Sequence, residues 1–329
     1  MHKVLIGVSS YNDLSLLKES LLAVEELRLN LPADVAVMDT AHNDEVRDFI
    51  KKAFPAFSYL RHKEGNIGYG RSYSEILREN PGYKYFLLVT SDVLLDFAVV
   101  KTFIERMEED KTITMCAGKL YHWDLENRRK TNIIDSFGIA AEKRHHFYDR
   151  GHGEVDTGQY DDELETVFGL TGAVFLIRTS VIPKLHGDPA GLFDERIWMY
   201  KEDIDLSYRL RWLGEKIVLF PEVWAWHART VANKEGNSLL GLSKADRSKR
   251  DYGRLHSYKN HFLILKNNFT WRYGMSVLLR VFAYEFLKGF YMLFRYPKVF
   301  FAGFKTLLFV PGRRSSRKVS AREMLSYFE

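Results

Sequence analysis

Tyr85-Phe86-Leu87-Leu88-Val89-Thr90-Ser91-Asp92 is an apolar, β-favouring run that stops on a carboxylate. A short apolar run of this kind reads as a buried strand. The same rhythm recurs on both sides. Lys3 to Ser10 and Val35 to Met38 are strand-like, the second ending at Asp39, and Tyr59-Leu60 suggests a short strand. Leu14 to Leu29, Glu45 to Ala53 and Phe97 to Glu109 have helical periodicity, and Gly68 to Glu79 reads as a helix opening from a glycine-rich loop. Strands alternating with helices predict βαβ units: an α/β fold with a mostly parallel central sheet flanked by helices. Ligands of such sheets bind beyond the carboxyl ends of the strands, where Asp39 and Asp92 fall.

Farther on, Thr166 to Arg178 is apolar and glycine-containing. Lys201 to Leu213 is helical and stopped by Gly214, and Ile217 to Phe220 is a strand closed by Pro221. Tyr121 to Glu165 has little periodicity and predicts a long irregular segment. From Met275 to Val310 the chain is dense in Phe, Leu, Val and Tyr. Glu285, Lys288, Arg295, Lys298 and Lys305 fall on one narrow helical stripe, and Pro297 predicts a break into two helices.

With 329 residues, 46% hydrophobic and 28% charged, the chain can bury a large core. The net charge of +5 favours anionic partners. Arg313, Arg314, Arg317, Lys318 and Arg322 concentrate that charge near the end, which suits a membrane surface rather than nucleic acid. Cys116 is the one cysteine, so no intrachain disulfide forms and a reducing compartment is expected. The first residues start a strand instead of a signal peptide, and no run of about 20 apolar residues follows. The expectation is a cytoplasmic protein, peripheral on the inner membrane face.

Several residues could carry chemistry, each with a plainer alternative. Asp92 could hold a divalent cation or cap the next helix. Glu202-Asp203-Ile204-Asp205 places three acids at a helix start, which the helix dipole favours. Trp198-Met199-Tyr200 before them is an aromatic wall suited to a sugar ring, and a carboxylate against it would be partly desolvated, as a base requires. His227, in Trp224-Ala225-Trp226-His227, is a metal ligand or a structural histidine. Gly65-Asn66-Ile67-Gly68-Tyr69-Gly70-Arg71 could bring backbone amides to phosphate, though its spacing is not the dinucleotide fingerprint. Arg71 and Arg178 could hold phosphate or simply pack. His145, His146 and His152 are irregularly spaced with no cysteine nearby, which favours a solvated loop over a zinc site.

Taken in order, these stretches resemble the family-2 glycosyltransferases with the GT-A fold, particularly their rhamnosyltransferase-like branch. The likeness runs from about Lys3 to Asn268. Ser9-Ser10-Tyr11-Asn12 and Val37-Met38-Asp39-Thr40-Ala41-His42-Asn43-Asp44 resemble the family's nucleobase-binding stretches. Asn66-Ile67-Gly68-Tyr69-Gly70 resembles its N-x-G-F-[AG] loop, and Thr90-Ser91-Asp92-Val93 sits where it has its metal-binding acids. Gly169-Leu170-Thr171-Gly172-Ala173 followed by Arg178 is similar to G-x-x-G-A-x-x-x-x-R. Gly191-Leu192-Phe193-Asp194-Glu195 and Tyr200-Lys201-Glu202-Asp203-Ile204-Asp205-Leu206 resemble G-x-F-D-E and Y-x-E-D-x-D-L. Asp135-Ser136-Phe137-Gly138 and Asp156-Thr157-Gly158-Gln159-Tyr160 resemble the rhamnosyltransferase-like branch.

The resemblance implies an inverting, metal-dependent sugar transferase of cell-surface polysaccharide synthesis. Asp203 would be its base, with Glu202 beside it. Ser10, Tyr11, Asn12, Asp39, Asn66, Gly68 and Arg71 would bind nucleotide, and Gly172, Trp198 and Tyr200 acceptor or sugar. Asp92 and His227 would hold Mg²⁺ or Mn²⁺. The donor would be a dTDP- or UDP-linked sugar, with rhamnose the first candidate, and the acceptor a glycan or lipid-linked glycan. Residues 1–268 would form the transferase domain (1–115 nucleotide side, 116–268 acceptor side) and 269–329 a helical, membrane-associated segment. Ser91, in place of the usual acid or its Pro neighbour, and His42, in place of the usual Ser, depart from the pattern. A sugar nucleotidyltransferase would show a glycine-rich phosphate loop after the first strand, where Ser9-Ser10-Tyr11-Asn12-Asp13 stands. A non-catalytic nucleotide-sugar-binding protein is the other alternative, with Ser91 as its hint and the Glu202-Asp203 pair against it.

Overall fold

The computed structural model describes residues 3–11, 14–41, 44–161, 167–186, 191–228 and 251–329. Its first half follows the predicted alternation: β1 Val4–Ser10, α1 Leu14–Asn30, β2 Ala33–Asp39, α2 Asp44–Ala53, β3 Ser58–Arg61, α3 Tyr69–Glu79 and β4 Tyr85–Thr90. These strands pair in parallel in the order β3-β2-β1-β4. The register sets Asp39 opposite both Ser10 and Arg61, and Ser9 opposite Thr90. One carboxyl edge therefore gathers the polar residues that end each strand.

The second half holds β5 Val93–Leu95, α4 Phe97–Glu109, β6 Ile113–Asp124, β7 Arg129–Ser136, β8 Ile139–Ala141, β9 Phe147–Asp149, β10 Val174–Arg178, α5 Ile182–His186, α6 Glu202–Trp212 and β11 Lys216–His227. β10 lies antiparallel between β4 and β6, and β11 runs parallel to β6 with β5 at the far edge. This curls the sheet so that the end of β11 returns to Asp92: the Ala228 amide donates to the Asp92 carbonyl at 2.8 Å.

Two expectations are corrected here. Tyr121 to Glu165 is not a long irregular segment. β6 continues to Asp124, β7 pairs with it, and β8 and β9 form a separate hairpin. β8 and β9 are only 3 residues each, and the first residues of β7 are polar and mostly exposed, so the apolar alternation is weak. Pro221 does not close β11. The strand runs on to His227, and its pairing with β6 shifts register between Leu219 and Val223. Pro221 sits in that irregularity, where no ladder N–H is required.

The rest of the chain forms α7 Asp251–Asn268, α8 Met275–Arg295, α9 Pro297–Phe309 and α10 Ala321–Leu325. Pro297 opens α9 and separates it from α8, as its missing N–H and fixed φ favour. A second core, apart from that of the main sheet, joins Phe147, Phe168, Tyr208 and Trp212 to Tyr273, Met324 and Phe328. The tail therefore completes the packing around α6.

Of the expected charged stripe, Glu285 and Lys288 face inward, while Arg295, Lys298 and Lys305 are exposed. Glu285 meets Nε2 of buried His261 at 2.5 Å and Lys288 at 3.6 Å. The outward face carries Phe282 (72% exposed), Phe286 (63%), Phe290 (58%) and Phe294 (71%). Phe301, Phe304 and Leu308 of α9 are exposed as well. Among the described residues, no helix is long and apolar enough to cross a membrane.

Phe328 sits among the rings of His145, Phe147, Phe168 and Tyr208. Phe328→Ala should cost about 3–5 kcal/mol of stability, read as a lower midpoint of urea unfolding. An unchanged midpoint would remove the tail from the folded unit.

Candidate active site

Asp203 stands in the first turn of α6. Its Oδ2 accepts the Gly172 amide at 3.0 Å and its Oδ1 the Ile204 amide at 2.8 Å. Both bonds favour the ionised carboxylate, but burial outweighs them and raises its pKa. The approach depends on the absent side chain of Gly169, where a Cβ would collide with Ser207 of α6; one on Gly172 would make only ordinary contact with Asp203 and Tyr69. The Tyr69 hydroxyl donates to the Gly172 carbonyl, closing the other side.

The turn into α6 is held in an unusual shape. Tyr200 and Lys201 have φ of 67° and 70°, left-handed values that cost energy for residues with a Cβ. Asn260 of α7 fixes the turn, donating to the carbonyls of Met199 at 2.8 Å and Tyr200 at 3.0 Å. Asp203 then opens into a cavity of about 120 Å³ shared with Tyr148, Asp149, Tyr200, Lys201 and Ser257.

Glu202 is placed differently. It is buried, its Oε2 has no hydrogen-bond partner, and it lies outside the residues lining that cavity. Burial and the neighbouring Asp203 charge push its carboxyl up to about 8. Burial therefore favours the protonated form of Glu202.

Asp92 and His227 converge from the ends of β4 and β11. Their Oδ2 and Nε2 atoms lie 3.2 Å apart, and His227 Nδ1 meets Asp135 Oδ2 at 2.8 Å. Burial lowers the His227 pKa, but the two carboxylates outweigh it and raise it to about 10. Burial raises Asp92, and the His227 contacts outweigh that and hold it low. The pair fits a divalent cation: carboxylate oxygen and imidazole nitrogen are suitable donors, and Asp135 orients the ring from behind. Among the described residues, no group of three or more His, Cys, Asp or Glu could hold a metal. Asp92 and His227 are thus a partial set of ligands among the described residues, which would suit an ion that also takes phosphate and water oxygens.

At the end of β2, Asp39 is fully buried and accepts from Tyr59 Oη at 2.7 Å, Arg61 at 3.1 Å and the Ala41 amide at 3.0 Å. The Ser10 hydroxyl is buried without a partner, and Tyr11 beside it is exposed. Asn12 and His42 lie outside the described residues. Asn66 accepts the Gly68 amide at 2.9 Å, shaping the loop before α3. Gly68, at φ 84°, leaves room for Trp198: a Cβ there would stand 2.6 Å from the Trp198 carbonyl oxygen.

Other expectations need correcting. Trp198 is not a free wall; it buttresses the Gly68 loop, and its carbonyl accepts the Tyr69 amide at 2.9 Å. Tyr200 does line the Asp203 cavity. Arg71 is held by Glu64 at 3.0 Å and lies 3.8 Å from Glu75. Arg178 does not hold phosphate: it ties the opposite end of the sheet, donating to the Ile113 carbonyl and Tyr85 hydroxyl, both at 2.8 Å. His145, His146 and His152 form neither a zinc site nor a solvated loop. His145 is buried against Tyr208 at 2.6 Å, and burial lowers its pKa to about 3. His146 pairs with Glu142, while His152 faces the Asp135 carbonyl.

Tyr59, Arg61, Tyr69 and Asp135 were not singled out as site residues. The spacing Tyr59-x-Arg61 on one face of β3 was the available signal for the first two. Asp135 lay within a recognised motif, but its partner is distant in sequence.

Because Glu202 is more easily protonated in the fold, its contribution to stability is full below its ordinary pKa of 4.5 and falls until pH passes about 8. Glu202→Gln should remove that fall. Subtracting the two stability–pH curves isolates it, and a flat difference from pH 4.5 to 8 would refute the buried-acid assignment.

No curated protein matches the sequence. Among solved structures, Staphylococcus aureus TarS 1-349 is similar, with TM-score 0.53 and 13% identity, covering 93% of this chain and 80% of that one. The same TarS segment in complex with UDP-GlcNAc gives 0.55 at 12% identity, covering 93% and 79%. GalNAc-T7 with UDP, GalNAc and Mn²⁺ gives 0.55 at 13% identity, covering 90% of this chain and 58% of that one. At these identities the likeness shows the fold, which is the GT-A arrangement expected from the sequence. The profile of glycosyl transferase family 2 matches residues 5–182, more than half of the chain. The chain belongs to glycosyl transferase family 2.

Proposed function

We propose that this protein is an inverting, metal-dependent glycosyltransferase with Asp203 as its base. The observation carrying this reading is a partly buried carboxylate, aimed by the Gly172 amide into a cavity, at the same sheet edge as Asp92 and His227. Tyr73 links the two groups, being near enough to Asp92 and Glu202 to feel both charges.

In this reading Ser10 and Asp39 position the nucleobase, with Tyr59 and Arg61 fixing the Asp39 carboxylate. Asp92 and His227, its Nε2 proton displaced, would hold a divalent cation, which when bound would neutralise the diphosphate leaving group. Asp203 accepts the proton of the acceptor hydroxyl as its oxygen forms a bond to the anomeric carbon. The bond from that carbon to the diphosphate breaks on the opposite face, and the nucleoside diphosphate leaves with the electron pair. One displacement inverts the anomeric centre. The raised pKa of Asp203 makes it a better proton acceptor than an exposed aspartate.

The neighbours were solved with UDP, UDP-GlcNAc or GalNAc, which supports testing UDP-sugars. dTDP-rhamnose joins the panel because of the Asp135–Gly138 and Asp156–Tyr160 resemblance. The outward aromatic face of α8 and α9 supports work on the membrane surface in polysaccharide synthesis, on a lipid-linked acceptor.

Asp203→Asn should reduce transfer by about 10²–10⁴-fold while nucleotide binding persists. The assay is nucleoside diphosphate release from the donor panel, with Mn²⁺ or Mg²⁺ and after chelation. Binding without turnover for every donor, with lipid-linked acceptors supplied, would favour a non-catalytic role. For the membrane face, Phe286→Ser/Phe290→Ser should weaken co-sedimentation with phosphatidylcholine–phosphatidylglycerol vesicles at least about tenfold. Unchanged sedimentation would sink that part.

A further inference from the structure

Beside α8 lies a second, larger cavity of about 630 Å³, formed against the turn that joins β8 to β9. Lys143, Arg144, Arg280 and Lys288 line it, with Glu142 and Glu329 as the opposing charges. Both acids have other partners. Glu142 pairs with Arg144 and His146, and Glu329 accepts from the Tyr148 hydroxyl at 2.7 Å. Lys143 and Arg280 have no ion pair among the described residues. With Arg144 matched by Glu142 and Lys288 by Glu285, Lys143 and Arg280 are the two uncommitted cations of the lining and Glu329 its remaining acid.

The position of this cavity narrows the choice of ligand. Leu287 belongs to its wall and to a shallow apolar depression with Phe290 and Phe294 on the outward face of α8. On its other side, His146 stands between the rings of Tyr284 and Tyr148, at 5.9 and 5.7 Å. Tyr284 lines the basic cavity, while Tyr148 lines the cavity of Asp203. The basic cavity thus lies between the apolar face and the base.

We propose that this cavity binds the phosphate monoester or diphosphate headgroup of the lipid carrying the acceptor, with the lipid tail leaving along Leu287 and Phe290. A phosphate headgroup matches the two uncommitted cations, Lys143 and Arg280, and a tail continuous with it matches the apolar depression. Lys143 and Arg280 are the principal contacts, because protein carboxylates do not already engage them. The inference rests on the lipid-linked-acceptor reading and gives it a binding site.

The test is flotation of the full chain with three vesicles: phosphatidylcholine alone, phosphatidylcholine with phosphatidylglycerol, and phosphatidylcholine with a polyisoprenyl phosphate at matched surface charge. Wild type should partition best onto the third. Lys143→Ala/Arg280→Ala should lose that gain, on the order of thirtyfold for two basic side chains. Lys143→Arg/Arg280→Lys should keep most of it. An equal gain with phosphatidylglycerol, or a gain surviving the double alanine change, overturns the site. Should wild type bind no vesicle, the membrane reading fails separately, and farnesyl phosphate titrated in solution decides the cavity. Binding there that the alanine pair removes supports it; no binding overturns it. Donor turnover is measured independently and reports on the transferase reading.

Discussion

The hydrogen bond from the Gly172 amide to Asp203 is the contact around which the site is organised. It requires the 169–172 segment to lie directly on α6, which Gly169 permits by leaving its Cβ position to Ser207. It also requires α6 to stay in place. Arg211, buried in the same helix, donates to the Phe168 carbonyl at 3.1 Å and to that of Val167. It also lies 4.1 Å from the centre of the Tyr327 ring. Arg209 binds Asp205 at 2.7 Å and the Leu192 carbonyl at 3.0 Å. A buried guanidinium is stable only when its donors are met, so these bonds fix helix, strand and tail together. The desolvation that raises Asp203 follows from that close fit.

The metal-side pair obeys a different constraint. Asp92 follows the strand that opened the sequence reading, whereas His227 arrives through β11 after the sheet has reversed direction at β10. The curl of the sheet brings them within 3.2 Å. Asp135 then holds the imidazole from a third strand, β7. No short stretch of sequence encodes this arrangement; it comes from three strands ending at one edge.

Legibility followed the range of the interactions. The parallel half was readable because its apolar runs and helical periods are local. Asp203, Gly172 and Asp92 were recognisable because their motifs are contiguous. Tyr59, Arg61 and Asp135 were not, since each acts on a partner through sheet register. Trp198 was misplaced for the same reason: its role is set by a glycine distant in sequence. His145 looked solvated because its surroundings, Tyr208, Phe269, Tyr273 and Phe328, come from later in the chain. The inward charge of α8 reversed the ordinary reading of a charged stripe, because His261 of α7 waits opposite Glu285.

The contact between Gly68 and Trp198 has a kinetic consequence. The nucleotide-side loop rests on the residue two positions before Tyr200, at the start of the turn that presents Asp203. Under the proposed function, a donor that settled this loop would also settle the wall of the Asp203 cavity. Coupling of this kind would favour a compulsory order of addition, donor before acceptor, and would keep the activated sugar from water until the second substrate arrived.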